Sequence, residues 1–517
     1  MEIVTVAQMR ALEAEANQRG VSYSQMMQTA GKGVAWTAMQ VHPLEGRVVL
    51  GLVGSGNNGG DALVALAEMI PAGWTACAYL ARPRPPDDPL LAALLESGGQ
   101  VVESSSDPDF SHLGALLRRC GLVVDGVLGT GISLPLRPEI ARLLAFIKSL
   151  SPLPPIVAVD CPSGVNCDTG EAAPETLPAR VTVCMQAVKA GLVKMPAFSL
   201  AGEIQVVDLH LPEDLPGSAG IHTRMVDKNM LSAALPKRPL ESHKGSFGTL
   251  TVAAGCLSYP GASLLAGRAA YRIGTGLVQM AVPASIQPML AGQLPEAVWL
   301  PLPDENGAIS AAAVDTLVSA FGRSTCLLLG PGLGQHPATL AFIRDLLQSR
   351  VLVKKQIPLV LDADGLRLVA SLPAWPELLP AQSILTPHPG EMAVLSGMST
   401  ASIQADRLST AARFAREWGH ILILKGALSI VASPSGETAV IPIATPALAH
   451  AGTGDVLAGM VAGLRAQKMA AFEAAWAGAF LHGRAGLLAA KEIGTPASVM
   501  AGDVSSQIAA ALAELDA

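Results

Sequence analysis

Short, continuously apolar runs that stop abruptly at a glycine or a charged residue recur along this chain, and they limit the folds open to it. Arg47-Val48-Val49-Leu50-Gly51-Leu52-Val53 empties into Gly54-Ser55-Gly56-Asn57-Asn58-Gly59-Gly60-Asp61. Gly121-Leu122-Val123-Val124-Asp125 leads into Gly126-Val127-Leu128-Gly129-Thr130-Gly131, and Ile156-Val157-Ala158-Val159-Asp160 into Cys161-Pro162-Ser163-Gly164. The pattern returns at Cys326 to Gly330, Pro358 to Asp362, Ser383 to Pro387 and Ile421 to Lys425. Runs that are apolar throughout, without alternation, suit strands covered on both faces, as in a parallel sheet with helical crossovers. Ligands of such sheets bind where the strands end. The residues at which these runs stop are therefore the candidate functional residues.

At 517 residues the chain is too long for one core. The stretch 211–222 is rich in Pro, Gly and Ser and lacks periodicity, so it reads as a linker, with the boundary at 212–228. Two α/β domains are expected, 1–218 and 225–515. Composition narrows the function. A chain that is 50% hydrophobic and 15% charged is globular, and a net charge of −7 with no basic stripe argues against nucleic acid as a partner. Seven cysteines, scattered and without a Cys-x-x-Cys pair, suit reduced thiols, not a disulfide framework or a zinc site. No signal-peptide core is present, and the uncharged span between Arg272 and Glu296 is broken by Gln279, Pro283, Gln287 and Pro288. No membrane association is expected, and the cytoplasm is the expected location.

In the first half, Thr5-x-x-Gln8 predicts a capping box and a helix over 6–19, followed by a second helix over 24–40. Neither carries chemistry of its own. Gly54-x-Gly56-x-x-Gly59 satisfies the dinucleotide fingerprint in a strand–turn–helix context, although no acidic residue follows at the usual distance. Arg82 and Arg84, after the next strand, could meet a 2′-phosphate or form a surface Arg-Pro loop. Asn58, Asp61, Asp125, Asp160 and Ser163 converge on one sheet edge, an oxygen-rich set suited to a hard cation.

These motifs resemble the NAD(P)H-hydrate epimerase (YjeF N-terminal) family over roughly 1–211. The resemblance implies a Rossmann-like three-layer domain that inverts C6 of hydrated NADH or NADPH. It implies that Asn57, Asn58, Gly59, Gly60, Asp61, Gly129, Thr130, Gly131, Ile132, Ser133, Leu134, Pro135 and Asp160 bind this substrate. Asn58, Asp125 and Ser163 would hold a potassium ion, and Asp160 would be the acid–base group. Ala62 stands where the family has glycine, which a helix already begun at that point would accommodate. Lys189 also matches a family position, without an assignable role.

The second half repeats the strand-end logic around Ala451-Gly452-Thr453-Gly454-Asp455, a glycine loop that becomes the apolar helix Val456-Leu457-Ala458-Gly459. Helix-start amides and the positive end of a helix attract an anion, and Asp455 beside them could take a proton. Alone it could be a capped turn; with Lys425, His388, Asp362 and Gly334 it reads as a phosphoryl-transfer site. No Gly-x-x-x-x-Gly-Lys-Ser/Thr loop, Gly-x-Ser-x-Gly elbow or His-Glu-x-x-His helix occurs.

The ordered set His243-Lys244-Gly245-Ser246-Phe247-Gly248, Gly330-Pro331-Gly332-Leu333-Gly334, Thr386-Pro387-His388-Pro389-Gly390-Glu391 and Ala451 to Gly459 resembles the ADP-dependent NAD(P)H-hydrate dehydratase family over roughly 225–515. That family has a ribokinase-like α/β fold. By this resemblance Ala262, Gly334, His388 and Asp455 contact the S-hydrate, while Lys425, Gly426, Ala427, Leu428, Ser429 and Gly454 contact the nucleotide. ADP would be the phosphoryl donor, accompanied by magnesium, and Asp455 the base. Ser429, Arg367, Gly365 and Thr445-Pro446-Ala447-Leu448-Ala449 depart from the family pattern. The whole chain is similar to the bifunctional NAD(P)H-hydrate repair family, acting on small molecules, with a homo-oligomer as the expected assembly. The alternative is a vitamin-type small-molecule kinase with a nucleotide-sensing first domain.

Overall fold

The computed structural model describes residues 1–41 and 47–515. The chain forms two compact units, Met1–Thr223 and Arg224–Ala517.

The first unit is built on a seven-stranded sheet. Its order is Gln100–Glu103, Thr75–Leu80, Val48–Val53, Leu122–Gly126, Ile156–Val159, Val181–Met185 and Glu203–Val207, parallel throughout. The uniformly apolar runs become strands because helices cover both faces. Val49, Val53 and Val124 pack on one side with Leu63 and Leu66; Leu50, Leu52 and Tyr79 pack on the other with Leu113 and Leu144. The strand order reverses at Val48–Val53, whose neighbours are Thr75–Leu80 and Leu122–Gly126, so the crevice opens between Gly54 and Val127.

The N-terminal helix Val6–Gln18 starts at the expected capping box, with the Thr5 hydroxyl accepting from the Gln8 amide at 3.1 Å. Just before it, Ile3–Val4 pairs in parallel with Val188–Lys189. The division between the units falls within the expected 212–228 stretch, and the first part of the linker is itself folded. Leu215 and Ile221 are buried in the core of the first unit, and the Gly217 amide donates to Glu15 at 3.0 Å. Two apolar residues suffice to fold a Pro/Gly-rich stretch onto the N-terminal helix.

The second unit carries a ten-stranded sheet ordered Thr223–Met225, Thr438–Val440, Ile430–Ala432, Ile421–Leu424, Ile384–Leu385, Leu359–Leu361, Cys326–Leu329, Thr249–Ala253, Leu277–Pro283 and Val298–Leu302. It is parallel from Val298–Leu302 to Ile421–Leu424, and the next two strands are antiparallel. One face packs on Pro260–Arg272, Thr453–Ala466 and Ala471–Ile493, the other on Pro337–Gln348 and Arg407–Trp418. Both units are thus α/β layers of the expected class. All seven cysteines are free, and no described helix is long and apolar enough to cross a membrane.

The helix Thr453–Ala466 is fixed by close backbone contact. A Cβ at Gly459 would overlap the Ala266 carbonyl of Pro260–Arg272, and one at Gly463 would meet Ile273 and Thr275. Bare backbone at both positions sets where this helix begins. Gly459→Val should therefore destabilise the second unit by about 1–3 kcal/mol or more, read as a lower denaturant midpoint of its unfolding transition.

Candidate active sites

A cavity of about 610 Å³ lies at the crevice of the first unit. Its first wall is the helix Asn57–Met69, which begins within the glycine stretch itself: Asn57, Asn58, Gly59 and Asp61 already belong to it and line the cavity. The helix can pack this close to the strand end because a Cβ at Gly59 would collide with the Gly54 carbonyl. An early helix also accounts for Ala62, which is helical and fully buried. Gly60 faces the Met27 side chain on the neighbouring helix and does not line the cavity. Gly129, Thr130, Gly131, Ile132 and Ser133 form the second wall; Leu134 and Pro135, in the same loop, do not reach it.

Asp160 completes the cavity from the end of Ile156–Val159, with a left-handed φ of 61°. A non-glycine residue in that region costs energy, which the surroundings must hold. Two donors do so. Lys189, with 1% of its surface exposed, donates to Asp160 Oδ1, and so does the Met185 amide at 3.1 Å. Lys189 also donates to the Met185 and Ala187 carbonyls at 2.8 and 3.1 Å. Burial alone would lower the Lys189 pKa, but the charge and hydrogen bond of Asp160, together with the nearby Cys184 and Cys167, outweigh it and hold the ammonium above its usual range. Lys189 thus gains the role that sequence left blank.

Asp125 and Ser163 sit beneath the cavity. The Ser163 hydroxyl donates to Asp125 Oδ1 at 2.5 Å, the Ser163 amide to Oδ2 at 2.9 Å, and the Leu128 amide to Ser163 Oγ at 2.9 Å. Asn58 Nδ2 reaches the Leu128 carbonyl at 3.3 Å, which ties the three residues together. Asp125 is fully buried with no cationic side chain paired to it among the described residues, and burial pushes its pKa up despite its hydrogen bonds.

Of the two arginines considered for a phosphate, Arg84 is committed. It donates to Asp88 at 2.6 Å and to the Gly54 and Gly56 carbonyls at 2.7 and 3.2 Å, clamping the turn. Arg82 lines the cavity. Sequence reading missed Arg10 and Glu13, which enter the cavity from the N-terminal helix expected to be chemically silent. Their spacing of three places them on one face of that helix, but nothing local says what the face meets.

In the second unit the strand ends also converge. Lys425, at the end of Ile421–Leu424, donates to Asp362 Oδ1 at 2.7 Å and lies 3.7 Å from Glu391 Oε2. Thr386 donates to the same Asp362 oxygen at 2.6 Å. His388 caps the helix Pro389–Ser396, its Nδ1 accepting from the Gly390 and Glu391 amides at 2.9 and 3.2 Å. That bonding leaves the hydrogen of the neutral ring on Nε2, which points to Glu391 at 3.3 Å. Burial, with Lys425 and Arg367 acting against Glu391, keeps the His388 pKa below its usual value. Gly334 donates its amide to Asp364 at 2.9 Å, and Ala262 packs where a Cβ on Gly332 would stand. In the loop after Lys425, Ser429 Oγ accepts from the Gly426 amide at 3.3 Å and donates to the Gly426 carbonyl at 3.0 Å; Ala427 is exposed and Leu428 buried.

The helix Thr453–Ala466 points its start at this cluster, with Gly452 in the left-handed region at φ 88°. The Thr453 amide turns back to the His450 carbonyl, and the Val456 amide bonds Gly452. The amides of Gly452, Gly454 and Asp455 have no hydrogen-bond acceptor among the described residues. A Cβ on Gly454 would lie 3.5 Å from Lys425 Nζ. Asp455 is pushed up to about 7, first by burial and then by Asp362, with Lys425 pulling the other way.

Residues 23–191 match the family described as the YjeF-related protein N-terminus, and residues 250–510 the family described as NAD(P)H-hydrate dehydratase. A bifunctional NAD(P)H-hydrate repair enzyme of Moorella thermoacetica is 36% identical over 98% of this chain and 95% of that protein. Those of Salinibacter ruber and Escherichia coli are 35% and 32% identical, over 99% and 92% of this chain and 96% and 87% of theirs. A crystal structure of a Bacillus subtilis ADP/ATP-dependent NAD(P)H-hydrate dehydratase with ATP and Mg²⁺ is 26% identical, with a TM-score of 0.48 over 56% of this chain and 98% of that one. The chain belongs to the family of bifunctional NAD(P)H-hydrate repair enzymes.

Proposed function

We infer that the chain repairs hydrated NADH and NADPH in two steps, with epimerisation in the unit over 1–218 and ADP-dependent dehydration of the S form over 225–515. The observation that carries this reading is the pair of strand-end sites, each with a lysine–aspartate ion pair beside a second carboxyl group. The kinase alternative is not favoured, because relatives matched over nearly their whole length are repair enzymes.

In the first unit Asp160 would exchange a proton with the C6 hydroxyl. Both donors to this carboxylate go to Oδ1, which leaves Oδ2 for the substrate. Asn58, Asp125 and Ser163 would hold potassium, and the unpaired buried charge of Asp125 supports that fit. Held there, potassium would supply the counter-charge that Asp125 lacks among the described residues.

In the second unit the C6 hydroxyl would be phosphorylated by ADP, with AMP as product, and phosphate would then leave to give NADH or NADPH. Asp455 takes the hydroxyl proton. The free amides of Gly454 and Asp455 receive charge on the transferred phosphoryl group, a kind of contact worth about 10²–10³-fold in rate. Asp362 and Glu391 hold Lys425 beside the nucleotide loop 425–429. Among the described residues no group of three or more His, Cys, Asp or Glu side chains forms a metal site. Magnesium would enter on the nucleotide, held by phosphate and water. The free cysteines support a reducing compartment, and we propose the cytoplasm.

Two variants test the assignment. Asp160→Asn should stop interconversion of the R and S hydrates while ADP-dependent dehydration of the S form continues; normal interconversion would remove Asp160 from the mechanism. Asp455→Asn should abolish AMP release and recovery of NADH absorbance. A base must be ionised to act, so wild-type dehydration should fall as pH drops through about 7. A flat profile between pH 6 and 8 would exclude Asp455 as that base.

A further inference from the structure

The cavity of the first unit holds more carboxyl groups than one acid–base residue requires. Asp160 is committed to Lys189 and is a natural proton acceptor. Asp61 lies in the same cavity with only 7% of its surface exposed, and no described residue donates a hydrogen bond to its carboxyl oxygens. Glu13 enters from the N-terminal helix, which is tethered at one end by the pairing of Ile3–Val4 with Val188–Lys189. A half-buried carboxyl group on a separate element, turned into a cavity that already holds two, calls for a reason.

The hydrated ring is a hemiaminal, in which C6 bears both the hydroxyl group and ring nitrogen N1. Expelling the hydroxyl as water would leave a C6=N1 cation. Loss of a C5 proton from that cation gives NADH directly and makes the ADP-dependent step redundant. Opening the ring avoids this leak. One group takes the hydroxyl proton as C6=O forms; the C6–N1 bond breaks with its electron pair going to N1, which needs a proton from a second group. Rotation about C5–C6 and the reverse steps on the other carbonyl face give the opposite epimer. Both protons return to where they began, and no electrons are gained or lost.

We propose that Asp61 is the second group, the acid that protonates N1, while Asp160 takes the hydroxyl proton and Glu13 is a positioning residue for Asp61. The proposal rests on the epimerase reading of this unit. The electrostatic surroundings support it. Burial raises Asp61 well above the usual carboxyl range; the charges of Asp160 and Glu13 add to this and Lys189 partly offsets it. Burial also raises Glu13, opposed by Lys189 and Arg10 and reinforced by Asp160. Of the other elements packed on the Asp61 helix, two bring paired charges, Lys32 with Glu68 at 3.8 Å and Arg84 with Asp88 at 2.6 Å. The strand Leu122–Gly126 brings Asp125, which has no cationic partner among the described residues, and Arg10 and Arg82 line the same cavity. Of the Asp160 and Asp61 carboxyl groups in this cavity, the first is ion-paired and the second has no cation bonded to it among the described residues, a difference in surroundings of the kind that divides acid and base roles.

The test measures interconversion of purified R and S hydrates by the full chain across pH, without ADP. Asp61→Asn should lose about 10²–10⁴-fold in rate, and Asp61→Glu should recover part of it. Glu13→Gln removes a like charge beside Asp61, so the alkaline limb of its rate profile should move to lower pH, whatever its plateau. A purely structural Glu13 would leave that limb in place. Wild-type rates in Asp61→Asn, or a Glu13→Gln limb superimposable on wild type, would overturn the proposal; if Asp61→Asn fails to fold, the Glu13→Gln profile decides. A wild-type chain that does not interconvert the epimers would instead overturn the epimerase reading.

Discussion

A lysine neutralises one strand-end carboxylate in each unit, fully buried in the first and partly buried in the second, and both sites are organised around it. Lys189 holds Asp160 in the first unit and Lys425 holds Asp362 in the second. An isolated charge inside a protein is costly, and removing one partner of such a pair typically costs about 3–5 kcal/mol. Once paired, the two groups form a fixed dipole at the sheet edge. That dipole shapes what stands beside it. Asp61 and Asp455 have no lysine of their own, and burial together with the neighbouring carboxylate raises both. The two units thus share one electrostatic plan: a committed carboxylate, its ammonium, and a second carboxyl group raised above the usual carboxylate range.

Much of this was legible in the sequence because strand ends are local signals. Apolar runs stopping at Asp125, Asp160, Asp362 and Lys425 mark the sheet edge without knowledge of strand order, and the glycines mark where helices approach backbone. The glycine stretch after Val53 was read as a loop, whereas Asn57 already begins a helix, since asparagine and glycine carry little helical propensity. Glu13 and Arg10 were illegible for another reason. Their helix is amphipathic in the ordinary way, and only its pairing through Ile3–Val4 with a distant strand brings its polar face to the cavity. The partner of Lys189 was hidden likewise, because an ion pair across 29 residues leaves no periodic trace. The stretch after Leu211 misled because Leu215 and Ile221 are too few to show a pattern, yet enough to pack.

The two glycines at 459 and 463 tie packing to chemistry. They let the helix Thr453–Ala466 lie against the backbone of Pro260–Arg272, so the position of its first turn is set by rigid contact several residues away. The amides of Gly454 and Asp455 are held in place before any ligand arrives. Preorganisation of that kind costs no rearrangement at the moment of reaction.

The pairing of Ile3–Val4 with Val188–Lys189 also orders events in time. Most of the first unit lies between these partners, so the contact closes a very long loop, and that closure entropy has to be met before the pairing stabilises anything. During synthesis the glycine turn, the 129–135 loop and Asp160 emerge before Lys189 does. Asp160 has no counter-charge until that lysine is in place, and Glu13 reaches the cavity only with the N-terminal segment paired beside it. A nascent or half-folded chain can therefore own the crevice without owning the catalyst, and activity in the first unit reports that the beginning of the chain has found its place.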